Sequence, residues 1–321
     1  MGRKILFFSD FGIDDMVAGL YAHYSEELDI IGFVADYGNV SREDAIRNTI
    51  FLSRLTGRED IPIVSGAYSP LTAIKPTYYP EVHGLEGLGP IIPQYEITNG
   101  QLLENFYKIP EIIAQYSEEG ISIFNAGRLT SLSTCFILFP EAMKKVKEIY
   151  IMGGAFDVPG NVTPVAEANI YGDPYAANII LKLSKQKVYF VPLNVTQYAI
   201  LTPQLINYLH ERFVAKDDKV GMIIKPMVDY YFEFYKKRDP TIDGSPLHDL
   251  LALWAMSSEA EITFEEHPIA ISLDEGRAFG QTMGDFRSTI EKIDWPIHYV
   301  AKSFHYGKFI KQVVAMFQNN V

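Results

Sequence analysis

The chain has 321 residues, 48% of them hydrophobic and 21% charged, enough apolar side chain for a large buried core. A formal charge of −12 argues against a general nucleic-acid binder, and the single cysteine, Cys135, excludes an intrachain disulfide framework or a thiolate-rich zinc site. No stretch approaches the roughly 18 apolar residues of a membrane helix, and Asp10 interrupts the N-terminal apolar run too early for a signal peptide, so a cytoplasmic protein is expected.

In chain order, Ile5–Phe8 reads as a short buried strand, followed by the turn Ser9-Asp10-Phe11-Gly12-Ile13-Asp14-Asp15 and a helix over Met16–Tyr24. Strand Ile30–Ala35 and helix Ser41–Leu55 come next, with Ser41 and Asp44 spaced as a capping box. After a strand at Pro62–Ser65, residues 66–100 are rich in Pro, Tyr and Gly and read as a long, partly mobile functional loop. Strands at Ile121–Asn125, Glu148–Met152 and Val188–Pro192 then alternate with helices at Leu129–Phe139, Pro174–Leu183 and Pro203–Phe213. Asp173-Pro174 puts a cap and a first-turn proline in the favoured order. A long helix from near Val220 carries Tyr230, Tyr231, Phe232, Phe234 and Tyr235, read as core and helix-surface aromatics rather than a base-stacking platform. Strands Ile262–Phe264, Ile269–Ser272 and Ile297–Val300 and a closing helix complete the chain. This alternation predicts one α/β domain over residues 1–321, a mostly parallel open sheet flanked by helices and related to the Rossmann fold.

Ligands of such sheets bind beyond the carboxyl ends of the strands. Asp10, Asp14 and Asp15 follow the first strand and Asn39 the second, while Asn125-Ala126-Gly127 and Gly153-Gly154 follow later ones. Asn161, Glu167 and Asn169 come farther on, and then the pair His248-Asp249. Carboxylates as close as those of Asp10, Asp14 and Asp15 repel unless a cation lies between them or some are protonated. No basic residue stands between Phe7 and His23, so a bound metal is the simpler reading. An oxygen-only donor set selects a hard cation, Ca²⁺ or Mg²⁺, over zinc. Such an ion lowers the pKa of water, and Asp10, at the strand end, is placed to take the proton. For Asp14 and Asp15 a purely structural role at a helix N-terminus stays open, since the macrodipole favours acids there.

These stretches together resemble the inosine–uridine-type nucleoside hydrolases, which begin with Asp-x-Asp-Pro-Gly-x-Asp-Asp. Gly38-Asn39-Val40-Ser41 is similar to that family's second-strand turn, and His83-Gly84-Leu85-Glu86-Gly87-Leu88-Gly89 to its active-site loop. Gly127-Arg128-Leu129-Thr130 resembles its Gly-Pro-Leu-Thr turn, and Met152-Gly153-Gly154 its Gly-Gly turn. The run from Gly160 to Asn169, followed by Asp173-Pro174, looks like its sugar-binding stretch, and His248-Asp249 like its late His-Asp pair.

The resemblance implies hydrolysis of the N-glycosidic bond of ribonucleosides with bound Ca²⁺, a small-molecule nucleoside as partner, and a homo-oligomer, dimer or tetramer. Asp10, Asp15 and Asp249 would hold the metal with the Ala126 carbonyl, and Asp10 would also be general base. Asp14, Asn161, Glu167 and Asn169 would hold the ribose hydroxyls, with Asn39 nearby. His248 would protonate or hydrogen-bond the departing base, and His83 would contribute from its loop. Some positions depart from the pattern: Phe8 replaces the first aspartate, Phe11 the proline after it, Ala168 an aromatic residue and Ser131 an asparagine. Phe8 and Ala168 motivate a second reading, a nucleoside- or ribose-binding protein that kept the metal site and lost turnover. A phosphatase of the haloacid-dehalogenase type is a poor third, because its nucleophilic aspartate would have to stand at Phe8.

Overall fold

β1 (Arg3–Ser9) is apolar without interruption from Ile5 to Phe8 because both faces of the strand are covered. Ile5 and Phe7 enter one core layer, Leu6 and Phe8 the other. The computed structural model describes residues 2–94, 104–288 and 293–319. The further strands are β2 (Leu28–Ala35), β3 (Ile63–Ser65), β4 (Ile121–Asn125), β5 (Val146–Met152), β6 (Lys187–Val191), β7 (Ile200–Leu201), β8 (Ser245–Pro246), β9 (Ile262–Ile271), β10 (Thr282–Gly284) and β11 (Ile297–Phe304).

One nine-stranded sheet runs in the order β10-β9-β11-β6-β5-β4-β1-β2-β3. The pairs from β3 through to β11 are parallel, while β9 is antiparallel to both β11 and β10. The order 3-2-1-4-5-6 within it is that of a doubly wound sheet, with its switch point between β1 and β4. On one face, the helices Ile13–Tyr24, Arg42–Leu55, Ile224–Arg238, His248–Ser257 and Tyr306–Asn319 bury their apolar stripes. On the other lie Lys108–Tyr116, Thr130–Leu138 and Pro174–Leu183. The mostly parallel, helix-flanked α/β architecture expected from the sequence is therefore the observed one.

The expected caps form. Ser41 Oγ accepts the Asp44 N–H at 3.1 Å, and Asp173 Oδ1 accepts the Ala176 N–H at 3.1 Å. Three expectations change. The two strands placed at Ile262–Phe264 and Ile269–Ser272 are one, β9, whose polar middle, Glu265-Glu266-His267, imitated a break. The helix expected from Val220 is two, Lys219–Met222 and Ile224–Arg238, with Pro226 in the first turn of the second, where its missing N–H is tolerated. The long loop contains a one-turn helix, Pro80–His83, and its last part, residues 95–100, lies outside the described residues. The short β7–β8 pair went unforeseen; it leads directly into the helix that starts at His248.

Candidate active site

The switch point gathers the acids. The Asp10 turn leaves β1, the helix Ile13–Tyr24 begins three residues later, and Asp15 at its third position accepts the Gly12 N–H at 2.9 Å on Oδ2. Ser9 Oγ donates to the other Asp15 oxygen. The turn requires Phe11 at φ 48, a left-handed conformation that Phe rarely adopts and proline cannot. Asn48 Nδ2 holds the Phe11 carbonyl at 3.0 Å, and the Phe11 ring is wedged against Phe7 and Phe33.

Asp14, Asp15 and Asp249 are all buried, and each offers a carboxylate oxygen within 4.8 Å of the others. Burial raises the pKa of all three; the charge of Asp14 raises that of Asp15 further, and those of Asp14 and Asp15 that of Asp249, while His83 works against the rise at Asp14. Asp10 stands beside the trio rather than within it: its charge adds to the repulsion on each, while its Oδ2 accepts the N–H groups of Asn39 and Val40. Burial lifts its own pKa, and the Arg128 guanidinium and those two amides oppose the lift. A Cβ on Gly38 would stand 2.4 Å from the Asp10 carboxyl carbon, so this approach needs glycine. Buried carboxylates in this arrangement fit a hard divalent cation, with oxygen donors throughout. The Ala126 carbonyl, just past β4, accepts Asn169 Nδ2 at 2.7 Å.

Two histidines border the acids. His83 Nδ1 accepts the Ile13 N–H at 3.0 Å, which leaves the ring proton on Nε2 when the imidazole is neutral. Burial lowers its pKa, and the charge of Asp14 works against that. Only glycine at position 12 permits the contact, since a Cβ there would meet His83 Nδ1 at 2.5 Å. The His83 loop folds back through Gly84, Gly87 and Gly89, all at positive φ, and Asn48 ties it down through the Glu86 carbonyl at 3.0 Å.

His248 opens its helix with Thr196 Oγ1 2.8 Å from Nδ1 and the Tyr235 hydroxyl 3.0 Å from Nε2. Burial pushes its pKa down to about 4, so the imidazole is neutral near pH 7. The Tyr235 hydroxyl lies 3.3 Å from that of Tyr231, which donates to Asp14 Oδ2 at 3.3 Å. With an ionised Asp14 as final acceptor, every link has one direction: Thr196 donates to Nδ1, Nε2 to Tyr235, Tyr235 to Tyr231, and Tyr231 to Asp14.

Asn39, Glu167 and Asn169 form a second group around Arg128, which donates to both asparagine side chains. Glu167 accepts the N–H groups of Asn169, Gly154 and Ile170 at 2.8–3.1 Å, capping the helix Ala168–Gly172. Asn161 is tied to the Ala168 N–H at 2.9 Å. Phe8 is buried in the apolar layer that also holds Leu6, Val34 and Ile123. The sequence-based expectations omitted Arg128, Thr196, Asn48 and the hydroxyls of Tyr231 and Tyr235. Two signals were available: an arginine where the family's turn has proline, and tyrosines spaced i, i+4 on one helix face.

A family model described as inosine-uridine preferring nucleoside hydrolase matches residues 5–311. The chain is 35% identical over 269 residues to the pyrimidine-specific ribonucleoside hydrolase RihA of Escherichia coli, covering 83% of each. It is 33% identical over 285 residues to uridine nucleosidase 1 of Arabidopsis thaliana, covering 88% of this chain and 82% of that one. The solved purine-preferring ribonucleoside hydrolase of Gardnerella vaginalis matches with a TM-score of 0.88 at 25% identity, over 99% of both chains.

Proposed function

The chain belongs to the inosine–uridine preferring nucleoside hydrolase family, and from that premise we propose that it hydrolyses the N-glycosidic bond of ribonucleosides to free base and ribose, with bound Ca²⁺. The observation that supports this most is the buried trio of Asp14, Asp15 and Asp249 beside Asp10 at the sheet's switch point. Asp15 and Asp249 would hold the ion, with Asp10 and the Ala126 carbonyl completing the donors. When bound, the ion supplies the positive charge that lowers the pKa of water in its neighbourhood.

Asp10 acts as general base on the attacking water. The Asn39 and Val40 amides fix its Oδ2, so the remaining oxygen receives the proton in a set orientation. The sugar develops oxocarbenium character as the bond lengthens, and the surrounding carboxylates stabilise that positive charge. Asp14, Asn161, Glu167 and Asn169 hold the ribose hydroxyls, with Asn39 beside them. Neutral His248, donating from Nε2 to Tyr235, supports a hydrogen bond to the departing base once the Tyr235 hydroxyl turns from Tyr231 toward it, and His83 offers its Nε2–H from the loop. The trio of Asp14, Asp15 and Asp249 persists beside Asp10 although Phe8 stands where the family has an aspartate, which supports turnover over binding alone.

The reading is tested by incubating the protein with inosine, uridine, cytidine and adenosine in Ca²⁺ and measuring free base and reducing sugar. Base release that a chelator stops and Ca²⁺ restores is expected. Intact nucleosides after prolonged incubation at high protein concentration would overturn it.

A further inference from the structure

Arg128 brings a guanidinium into the middle of an acidic site, at the centre of the Asn39, Glu167 and Asn169 group, yet the proposed chemistry gives it no role. It is the sole basic residue between Ile121 and Met143, and it is 4% exposed. Nη1 donates to Asn169 Oδ1 at 3.0 Å and Nη2 to Asn39 Oδ1 at 3.2 Å. Asn39 follows β2, Arg128 follows β4, and Asn169 lies in the helix Ala168–Gly172 beyond β5. One planar cation thus joins segments that leave three strand ends.

The bonds fix which way each amide faces. An unrestrained carboxamide can exchange its oxygen and nitrogen by a half-turn, turning an acceptor into a donor. Beside a guanidinium only the oxygen is tolerated, so Asn39 must present its Nδ2 away from Arg128. Asn169 spends its amino group on the carbonyls of Ala126 at 2.7 Å and Met152 at 3.1 Å, and its oxygen on Arg128. The fold reserves space for the cation: a Cβ on Gly172 would lie 2.2 Å from Arg128 Cδ and 2.3 Å from Nε.

We propose that Arg128 is a positioning residue for the sugar, locking Asn39 as an N–H donor toward ribose and Asn169 as the brace of the Ala126 carbonyl. The inference takes its ligand, ribose, from the hydrolase reading, while its geometry stands independently. Lysine cannot substitute, because a point charge lacks the fork that spans two oxygens.

The test compares wild type, Arg128→Met, Arg128→Lys, Asn39→Ala and the double variant Arg128→Met/Asn39→Ala. Affinity for D-ribose in Ca²⁺ is measured by calorimetry, together with kcat and KM for uridine and inosine. Arg128→Met should weaken ribose and raise KM by about 10-fold, with kcat less affected, and Arg128→Lys should not restore it. In the Asn39→Ala background the same substitution should change ribose affinity by clearly less than in the wild type, about 3-fold, because only the Asn169 arm of its action remains. Additive losses, unchanged ribose affinity, or no ribose binding by the wild type would each overturn the proposal. Should Arg128→Met not fold, Gly172→Ala, which displaces the guanidinium without removing its charge, must raise KM likewise; an unchanged KM overturns the proposal. A wild type that binds ribose in an Arg128-dependent way but releases no base sinks the hydrolase reading and spares this one. Base release with Arg128-independent ribose affinity does the reverse.

Discussion

The Tyr235 hydroxyl lies 3.0 Å from His248 Nε2, joining two helices and putting the histidine in line with Tyr231 and Asp14. A chain of this kind can present a hydrogen bond to a departing base only if each member keeps its donor. Tyr235→Phe should therefore slow inosine and uridine hydrolysis by about 10²-fold or more, in the range of general acid catalysis. A substrate with an activated leaving group, such as p-nitrophenyl riboside, needs no protonation and should lose far less. Equal losses on both substrates would instead assign Tyr235 and His248 to holding Asp14 and Asp249.

Asp10 is buried, but its partners are backbone amides of the segment after β2, not the acids themselves. Asp10→Ala should abolish detectable turnover while the thermal midpoint stays within a few degrees of wild type, since removing it also relieves repulsion on Asp15 and Asp249. Near-normal rates in this variant would remove Asp10 from the mechanism.

Ca²⁺ should stabilise the folded protein by mass action, about 2.7 kcal/mol at a hundredfold excess over Kd. Asp249→Asn should lose most of the Ca²⁺-dependent rise in melting temperature, because Asp249 is one of three carboxylates within 4.8 Å of one another. Differential scanning fluorimetry with and without chelator reads this apart from activity. A full Ca²⁺ shift in Asp249→Asn places the ion elsewhere.

Asp36, just past β2, is wholly buried; its Oδ1 accepts from Ser131 and from the Ala67 N–H at 2.7 Å, and Oδ2 has no partner among the described residues. Burial lifts its pKa from 3.8 to about 8. Across that window the folded protein holds a proton that the unfolded chain has released, so this group makes stability fall as pH rises from about 4 to about 8. Asp36→Asn, a neutral isostere, should flatten that slope and leave the variant more stable than wild type at pH 8, as urea unfolding at stepped pH will show. A slope unchanged from wild type would mean that Asp36 is ionised in the fold.

Much of the architecture was legible locally. Apolar runs ending in Asp10, Asn125 and Met152 mark parallel strands covered on both faces, and caps such as Ser41 and Asp173 mark helix starts, because these signals depend on a few neighbouring residues. The acidic turn, the glycines of the His83 loop and the His248-Asp249 pair were legible too, as ordered motifs. β9 was misread where surface exposure of Glu265 and Glu266 broke its apolar run.

The sequence by itself thus determined the layers, the element types and the identity of most polar groups beyond the strand ends. Only the tertiary structure decided which of them meet. Strand order sets β4 beside β1, placing Arg128 against Asn39 and aligning Phe33, Phe7, Phe124, Tyr150, Tyr189 and Tyr299 as one aromatic row across six strands. It also brings Asp249 to Asp14 and Asp15 and leaves Asp10 one step aside, bound to amides. Periodicity reports burial over a turn or two of chain, whereas these contacts close loops of tens to hundreds of residues and are chosen by the packing of the whole sheet.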